Sequence, residues 1–246
     1  MKRVWALVPV KDFNCAKSRL ASTLSAEARH ALALAMTMDV ATVLKHSRTV
    51  ARVVLVSDIP ALDRRMGIDA IAHFDTRRAQ GLNEDLAAAA AWAGTQGATH
   101  VLIVHADLPR LTPQAVDRFV SGAGETPPTR MRAAACKQGS GTNLLLAPVP
   151  LPLPLVFGKN SLLRFCQSAA AAAVPFDVIH DAALAADIDE PDDLQALMLA
   201  HACGELAGQA TAVFLLATTA ACSQRGARLP QGAMPPQTNL SCPAER

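Results

Sequence analysis

The chain has 246 residues, of which 51% are hydrophobic, and its 23 basic residues nearly balance its 21 acidic residues. This length suits one α/β domain with a short appendage, and the hydrophobic fraction excludes disorder as the main state. A net charge of +2 and an aromatic content of 4%, with no tyrosine, do not favour binding to nucleic acid or to a membrane surface. We therefore expect an enzyme that acts on small molecules.

Cysteine usage and apolar run lengths indicate the cellular compartment. The six cysteines are scattered without a C-x-x-C pair, which predicts reduced thiols. The apolar run after Lys2 and Arg3 stops at Pro9, so it is too short for the hydrophobic region of a secretion signal. No stretch approaches the roughly 18 uninterrupted apolar residues of a membrane span. The sequence therefore predicts a cytoplasmic protein that does not enter a membrane.

Short β-branched runs alternate with alanine-rich and leucine-rich stretches, as is typical of βαβ units on a mostly parallel sheet. Strands are predicted over residues 4–8, 52–57, 68–73, 101–104, 131–136, 142–146 and 176–179. Helices are predicted over 28–44, after the N-cap Ser25, and over 84–95, 113–121, 161–173 and 191–202. From about residue 204 the alternation is lost, so we assign 1–203 to one folded domain and expect 204–246 to be a poorly ordered extension.

Three cations follow the first predicted strand: Lys11 closes the run V-P-V-K, and Lys17 and Arg19 lie in the run A-K-S-R-L. In an open α/β sheet, ligands bind beyond the carboxyl ends of the strands, where cations can neutralise phosphate charge. The loop matches neither G-x-G-x-x-G nor the P-loop pattern. It predicts a site for a phosphate-bearing ligand, with a solvated basic loop as the alternative.

A glycine turn, G-L-N, precedes the alanine-rich helix. Gly81 lets the backbone approach a ligand closely, and the Asn83 amide can both donate to and accept from a base or a ribose. An N-cap role for Asn83 is the alternative, and the two interpretations are compatible.

Acidic residues occur in two motifs. Asp107 follows the buried strand 101–104 by three residues, and Asp187 and Asp189 are two apart, so in extended backbone they point to the same side. Carboxylates in such an arrangement favour a Mg²⁺ site. Turn capping by Asp107 and helix capping by Asp189 are the alternatives. His105 adjoins this site, but the pattern does not assign it a side of the strand.

Taken in chain order, the motifs V-P-V-K, A-K-S-R-L, G-L-N, A-D-L-P, G-T-N, F-G-x-x-S and D-I-D-x-P-x-D-L resemble the 2-phospho-L-lactate guanylyltransferase family of coenzyme F-420 biosynthesis. The resemblance covers about residues 8–197. It implies a GT-A-like, Rossmann-type nucleotidyltransferase fold, with a mixed, mostly parallel sheet flanked by helices. It also implies transfer of GMP from GTP to 2-phospho-L-lactate, phosphoenolpyruvate or 3-phosphoglycerate, with release of pyrophosphate. A downstream transferase would accept the product, and a homo-oligomer is compatible with this activity.

The same resemblance implies site residues. It places Mg²⁺ at Asp107, Asp187 and Asp189, and catalytic roles at Lys17, Arg19 and Asp107. The nucleotide is expected at Pro9, Val10, Lys11, Gly81, Asn83 and His105. The phosphorylated acid is expected at Thr142, Gly158 and Ser161, where helix capping by Ser161 is the alternative.

The chain departs from the family pattern four residues beyond Ser161, where members often carry a histidine and this chain has Phe165. We expect this change to favour 3-phosphoglycerate over 2-phospho-L-lactate. Two other functions remain open: another nucleotidyltransferase of the same fold, acting on a molybdopterin or a sugar phosphate, and a non-catalytic GTP-binding regulator.

Overall fold

One mixed sheet organises the chain in the computed structural model, which describes residues 3–13, 16–76, 81–122, 129–205 and 208–224. The strands are β1 (Val4–Pro9), β2 (Val50–Ser57), β3 (Ile71–Asp75), β4 (His100–Val104), β5 (Met131–Ala135), β6 (Thr142–Pro148) and β7 (Phe176–Ile179). The helices are α1 (Ala26–His46), α2 (Leu62–Met66), α3 (Leu82–Thr95), α4 (Pro113–Ser121), α5 (Ser161–Ala171), α6 (Ala182–Ala185), α7 (Pro191–Ala202) and α8 (Gln209–Gln224). A short 3₁₀ helix, Ser18–Ser22, precedes α1. Among these helices, none combines the length and the apolarity that crossing a membrane requires.

The strands are ordered β3-β2-β1-β4-β6-β5-β7, and β6 runs against both of its neighbours. The other neighbouring pairs are parallel, so the predicted mixed and mostly parallel sheet is confirmed. Because β6 is antiparallel to β4, it begins at the edge of the sheet where β4 ends. The residue after β4, His105, accordingly donates its backbone N–H to the carbonyl of Asn143, at 3.1 Å.

Alternating side chains of the central strands fill two cores, one on each face of the sheet. Ala6 and Val8 of β1 belong to the core that contains residues of α1 and α4. Trp5 and Leu7 belong to the core that contains residues of α3 and α5. This alternation explains the continuous apolar run of β1, since a strand covered on both faces needs apolar side chains at every position. Because helices cover both faces of the sheet, the carboxyl ends of the strands are open to the loops that follow them.

The third strand begins later than predicted. The sequence pattern predicted a strand over 68–73, whereas β3 spans Ile71–Asp75. The short helix α2, which the pattern did not predict, ends at Gly67 in the left-handed region with φ 62°. Ala70 is also left-handed, with φ 63°, so residues 68–70 form the turn that leads into β3.

The chain after residue 204 is ordered over part of its length, because α8 packs against α1. The carboxylate of Asp39, on α1, is 7% exposed and accepts the backbone N–H groups of Ala210 and Thr211, each at 2.8 Å. Leu215 is buried in a cluster that includes Leu32 of α1. The structure thus describes a helix over residues 209–224 that is capped by a residue distant in the sequence, and poor order of the extension 204–246 as a whole stays a prediction. Residues 225–246 lie outside the described part of the chain.

Replacing Asp39 by Ala should destabilise the protein by about 1–2 kcal/mol, because two amide groups at the start of α8 lose their acceptor. Hydrogen exchange at the amides of α8 should speed up, while exchange at the amides of α3 stays unchanged. Urea unfolding and exchange measured by mass spectrometry check both effects. Asp69→Ala is the matched control, since Asp69 is exposed. Equal behaviour of the two variants would show that Asp39 does not hold α8.

Candidate active site

The ammonium group of Lys17 lies between two carboxylates at the carboxyl edge of the sheet. Its Nζ is 2.6 Å from Oδ2 of Asp107 and 2.9 Å from Oδ1 of Asp189. Lys17 precedes the 3₁₀ helix, Asp107 follows β4 and Asp189 precedes α7. Only 9% of the Lys17 side chain is exposed. The ion pairs thus join three segments that are far apart along the chain.

Electrostatics keep this cluster charged. Burial by itself would lower the pKa of Lys17, but the charges of Asp107 and Asp189 raise that pKa above its ordinary value. Burial would likewise raise the pKa of Asp107, yet Lys17, with a contribution from His105, holds it below its usual range. The Lys17 ammonium and the Asp107 carboxylate are therefore both ionised at neutral pH.

A backbone hydrogen bond anchors the second acidic motif beside the first. The N–H of Ile188, whose side chain is buried, donates to the carbonyl oxygen of Asp107 at 3.2 Å. The residues on either side of Ile188 are Asp187 and Asp189, and Oδ1 of Asp187 accepts a hydrogen bond from Nδ2 of Asn143 at 3.1 Å. The three aspartates expected to bind metal therefore belong to one edge of the sheet.

These carboxylates do not form a preassembled metal cluster. Within the described ranges, no three His, Cys, Asp or Glu side chains are grouped closely enough to hold a metal ion. The Lys17 ammonium lies between Asp107 and Asp189, and Asn143 binds Asp187. Oδ1 of Asp107, however, is buried without a hydrogen-bond partner in the described chain. Joint metal binding by these residues stays a prediction.

Two cavities open where β1 ends. One, of about 290 Å³, lies between the β1 loop, α1 and the loop after β4, and it is lined in part by Lys17, His105 and Asp107. The other, of about 330 Å³, lies at the ends of β2 and β3 and at the first turn of α3. The two cavities share four lining residues, Pro9, Val10, Lys11 and Leu82, so they adjoin. Apart from Asn83, the residues expected to bind the nucleotide thus line a divided pocket.

Further lining residues were missed by the sequence analysis. Ser57 and Asp58, at the end of β2, and Thr76, just after β3, line the second cavity. The rule that found Lys11 and Asp107, namely that ligands bind at the ends of parallel strands, applies equally to these positions. It did not single them out because they belong to no motif of unusual composition.

The structure gives Asn83 a different environment from the one expected. Its Nδ2 donates to the carbonyl of Phe157 at 3.2 Å, and its Oδ1 accepts the N–H of Phe157 at 2.8 Å. The N-cap of α3 is Gly81, with φ 134°, so the N-cap interpretation of Asn83 is wrong. Asn83 joins α3 to the loop before α5, and its contact with a nucleotide stays a prediction.

The residues expected to bind the acid come together beside this loop. Oγ of Ser161 donates to Oγ1 of Thr142 at 3.2 Å, and both side chains are buried. The N–H of Ser161 donates to the carbonyl of Gly158 at 3.1 Å. Because the N-cap of α5 is Asn160, in a left-handed conformation, the interpretation of Ser161 as a helix cap is wrong. The two hydroxyl groups therefore form a small polar site at the start of α5.

Two singled-out residues lie away from the pocket surface. The Arg19 side chain is 68% exposed and lies 3.7 Å from Glu190, and it lines neither of the two cavities. Phe165 is fully buried, with its ring centroid 5.2 Å from that of Phe157 and 6.2 Å from that of Phe176. An effect of Phe165 on acid selection would therefore be indirect, through its neighbours, of which Phe157 is one. A catalytic role for Arg19 stays a prediction.

Replacing Lys17 by Met should lower the free energy of unfolding by about 2–3 kcal/mol, because two neighbouring carboxylates lose their shared cation. The loss lies at the low end for a buried ion pair, since 22% of the Asp107 side chain and 43% of the Asp189 side chain are exposed. Adding Asp107→Asn in the same chain should recover part of it. Urea unfolding measures all three proteins. Lys11→Met, at an exposed position, is the control. Equal losses of unfolding free energy in Lys17→Met and Lys11→Met would contradict a stabilising role of the Lys17 ion pairs.

Comparison with known proteins gives a family match along most of the chain. The family described as "Guanylyl transferase CofC like" matches residues 4–212. The phosphoenolpyruvate guanylyltransferase of Conexibacter woesei is 36% identical over 194 residues, which are 78% of this chain and 86% of that protein. The protein of the same name from Roseiflexus sp. strain RS-1 is 33% identical over 95% of this chain and 99% of its own length. The 2-phospho-L-lactate guanylyltransferase of Methanocorpusculum labreanum is 30% identical over 79% of this chain and 82% of its own length.

Solved structures share the fold. A protein of Desulfovibrio desulfuricans G20, assigned as a nucleotide-diphospho-sugar transferase, has a TM-score of 0.72 at 16% identity and covers 92% of this chain and 98% of its own. A cytidylyltransferase from Leptospira borgpetersenii has a TM-score of 0.57 at 12% identity, with 95% and 99% covered. These likenesses confirm the expected GT-A-like architecture. With the family match and the relatives above, they lead to one conclusion: this chain is a nucleotidyltransferase that belongs to the CofC-like guanylyl transferases.

Proposed function

We propose that this enzyme transfers GMP from GTP to the phosphate of a phosphorylated three-carbon acid and releases pyrophosphate. The observation that carries the proposal is the position of the ion-paired Lys17 and Asp107. Both residues line the first cavity, which adjoins the second cavity. His105, two residues before Asp107, donates its backbone N–H to Asn143 of β6, the strand that begins with Thr142. Two anionic substrates could therefore meet beside the same charged cluster.

The divided pocket suits GTP. Lys11 and Lys17 line the first cavity, where cations would offset the charge of a triphosphate. Asp58 and Ser57 line the second cavity, and oxygen acceptors suit the Watson–Crick edge of guanine, which presents two N–H donor groups. Gly81 also lines this cavity without a side chain that would obstruct a ligand.

The acid would bind at the polar site formed by Thr142, Gly158 and Ser161. Hydroxyl groups at the start of a helix, together with the partial positive charge of the helix N-terminus, form a favourable environment for a phosphate or a carboxylate. Relatives at 30–36% identity are named for phosphoenolpyruvate and for 2-phospho-L-lactate. Both are phosphorylated three-carbon acids, and 3-phosphoglycerate belongs to the same class.

Residues at the edge of the sheet fit a Mg²⁺ ion. The buried Oδ1 of Asp107 has no hydrogen-bond partner in the described chain, and carboxylate oxygens are the ligands that Mg²⁺ prefers. Asp107 and Asp189, with Asp187 beside them, would hold the ion. When bound, Mg²⁺ would neutralise phosphate charge and stabilise pyrophosphate as a leaving group.

The reaction needs no covalent protein intermediate. A phosphate oxygen of the acid attacks the α-phosphorus of GTP, a new phosphoanhydride bond forms, and the bond to the β-phosphate breaks as pyrophosphate leaves with the electron pair. Lys17 would hold its ammonium beside the reacting phosphates, while the Thr142 and Ser161 hydroxyls would orient the acid. A downstream transferase would then use the activated product.

Incubation of the enzyme with GTP, Mg²⁺ and each of the three acids tests the proposal. We expect pyrophosphate release that depends on the acid, together with a guanylylated acid of the matching mass. Equimolar competition between the acids then measures preference, for which Phe165 predicts 3-phosphoglycerate over 2-phospho-L-lactate. GTP binding without pyrophosphate release would instead indicate a regulator, and pyrophosphate release with only a sugar phosphate would indicate a different transferase.

Replacing Asp187 by Asn should lower turnover by about 10²-fold or more if its charge holds the metal. The side-chain oxygen that accepts from Asn143 is retained, so thermal stability should change little. Steady-state rates across Mg²⁺ concentrations measure the effect. The exposed Asp192, in the same segment, provides the control Asp192→Asn. Wild-type turnover by Asp187→Asn at limiting Mg²⁺ would refute the metal role.

A further inference from the structure

The imidazole of His105 borders both halves of the site. His105 follows β4 directly and lines the first cavity together with Lys17. Its backbone N–H donates to the carbonyl of Asn143, the residue after Thr142 in β6. Its ring packs against the ring of Phe157, with centroids 5.4 Å apart and planes tilted by 46°. His105 therefore lies between the nucleotide cavity and the loop that carries the acid site.

One ring atom of His105 lacks a partner. Nε2 is buried and makes no hydrogen bond within the described part of the chain. Native proteins leave few buried polar atoms unpaired, and those that remain are commonly satisfied by water or by a ligand. Because this atom belongs to a residue that lines a cavity, a bound substrate can supply the missing partner.

The surrounding contacts favour the acid over the nucleotide. Phe157, against which the ring packs, is the first residue of the F-G-x-x-S motif, and Asn83 holds its peptide group at both the N–H and the carbonyl. This loop is therefore fixed relative to the ring. The Ser161 hydroxyl already donates to Thr142, so that pair offers an incoming anion fewer free donors than two separate hydroxyls would. Because the His105 ring packs against Phe157, an N–H group on that ring would add a donor beside this loop.

We propose that Nε2–H of His105 donates a hydrogen bond to an anionic oxygen of the phosphorylated acid, which makes His105 a further acid-binding residue of this enzyme. The inference rests on the proposed function, and it moves His105 from the nucleotide to the acid. A histidine ring nitrogen that carries a proton is a hydrogen-bond donor, so this contact requires the proton to be on Nε2. Since each of the three acids carries anionic oxygens, the contact serves all of them.

Two variants separate the hydrogen bond from the packing of the ring. His105→Phe keeps an aromatic ring against Phe157 but removes the donor, and His105→Gln restores a side-chain N–H group. We expect His105→Phe to raise KM for each accepted acid by about 10- to 100-fold, the range for loss of a hydrogen bond to a charged group. KM for GTP should stay within about 2-fold, since nucleotide contacts are unchanged. His105→Gln should recover part of the loss.

His46→Phe is the matched control. His46 is exposed and ends α1, just before β2 begins, so it lies at the opposite edge of the sheet from the site. Calorimetric titration of GTP and, separately, of each acid into the three variants provides a readout that does not depend on turnover. His105→Phe should weaken binding of the acid and leave binding of GTP as in the wild type. His46→Phe should bind both ligands as the wild type does.

Other outcomes would overturn the inference. Wild-type KM values in His105→Phe would show that Nε2 contacts no substrate. A parallel loss of GTP affinity would assign His105 to the nucleotide instead, and a loss confined to 3-phosphoglycerate would point to its hydroxyl group and not to an anionic oxygen. If His105→Phe fails to fold, acid titrations of His105→Leu, which also lacks the donor, decide the question. If the wild type makes no guanylylated acid, the proposed function is rejected. The hydrogen bond is tested separately by calorimetry, which compares acid binding by the wild type with acid binding by His105→Phe.

Discussion

The direction of β6 is the constraint on which the arrangement of the site depends. β6 is antiparallel to β4, and so its first residues, Thr142 and Asn143, lie where β4 ends and Asp107 follows. Were β6 parallel to β4, the G-T-N motif would lie at the opposite edge of the sheet, away from Lys17. One reversed strand therefore brings the G-T-N motif to the carboxyl edge of the parallel strands, which is where open α/β sheets bind ligands. The direction of one strand in the mixed sheet thus decides which side chains meet at this edge.

Lys17 then holds that edge together. Its hydrogen bonds span 90 residues to Asp107 and 172 residues to Asp189, so one side chain connects the start, the middle and the end of the domain. Ordering three distant loops is entropically unfavourable, and charge-assisted hydrogen bonds in a largely buried setting are among the few interactions strong enough to offset it. The ammonium also prevents the two carboxylates from repelling each other before any ligand arrives. The lysine that orders these loops is thus the same residue that we propose to lie beside the reacting phosphates.

Local rules predicted most of the fold and many of the pocket residues, because those rules act within a few residues. Strand ends located Lys11 and Asp107 at the pocket, whereas the joint metal site expected from the spacing of Asp187 and Asp189 stays a prediction. Contacts between distant segments were not accessible in this way. The amide of Asn83 binds the peptide of Phe157, 74 residues away, and no local pattern distinguishes that role from a helix cap. The helix α8 escaped prediction for the same reason, since the carboxylate that caps it lies 171 residues earlier.

The contact between α1 and α8 bears on where the folded unit ends. Met36 and Thr37 of α1 line the first cavity, and Asp39, less than one turn later, caps α8. The wall of this cavity and the support of the last described helix therefore lie on the same stretch of α1. The family match stops at residue 212, inside α8. A recombinant chain ended at that boundary would be cut within the first turn of α8, would lack the buried Leu215, and would leave one side of the cavity wall without its backing.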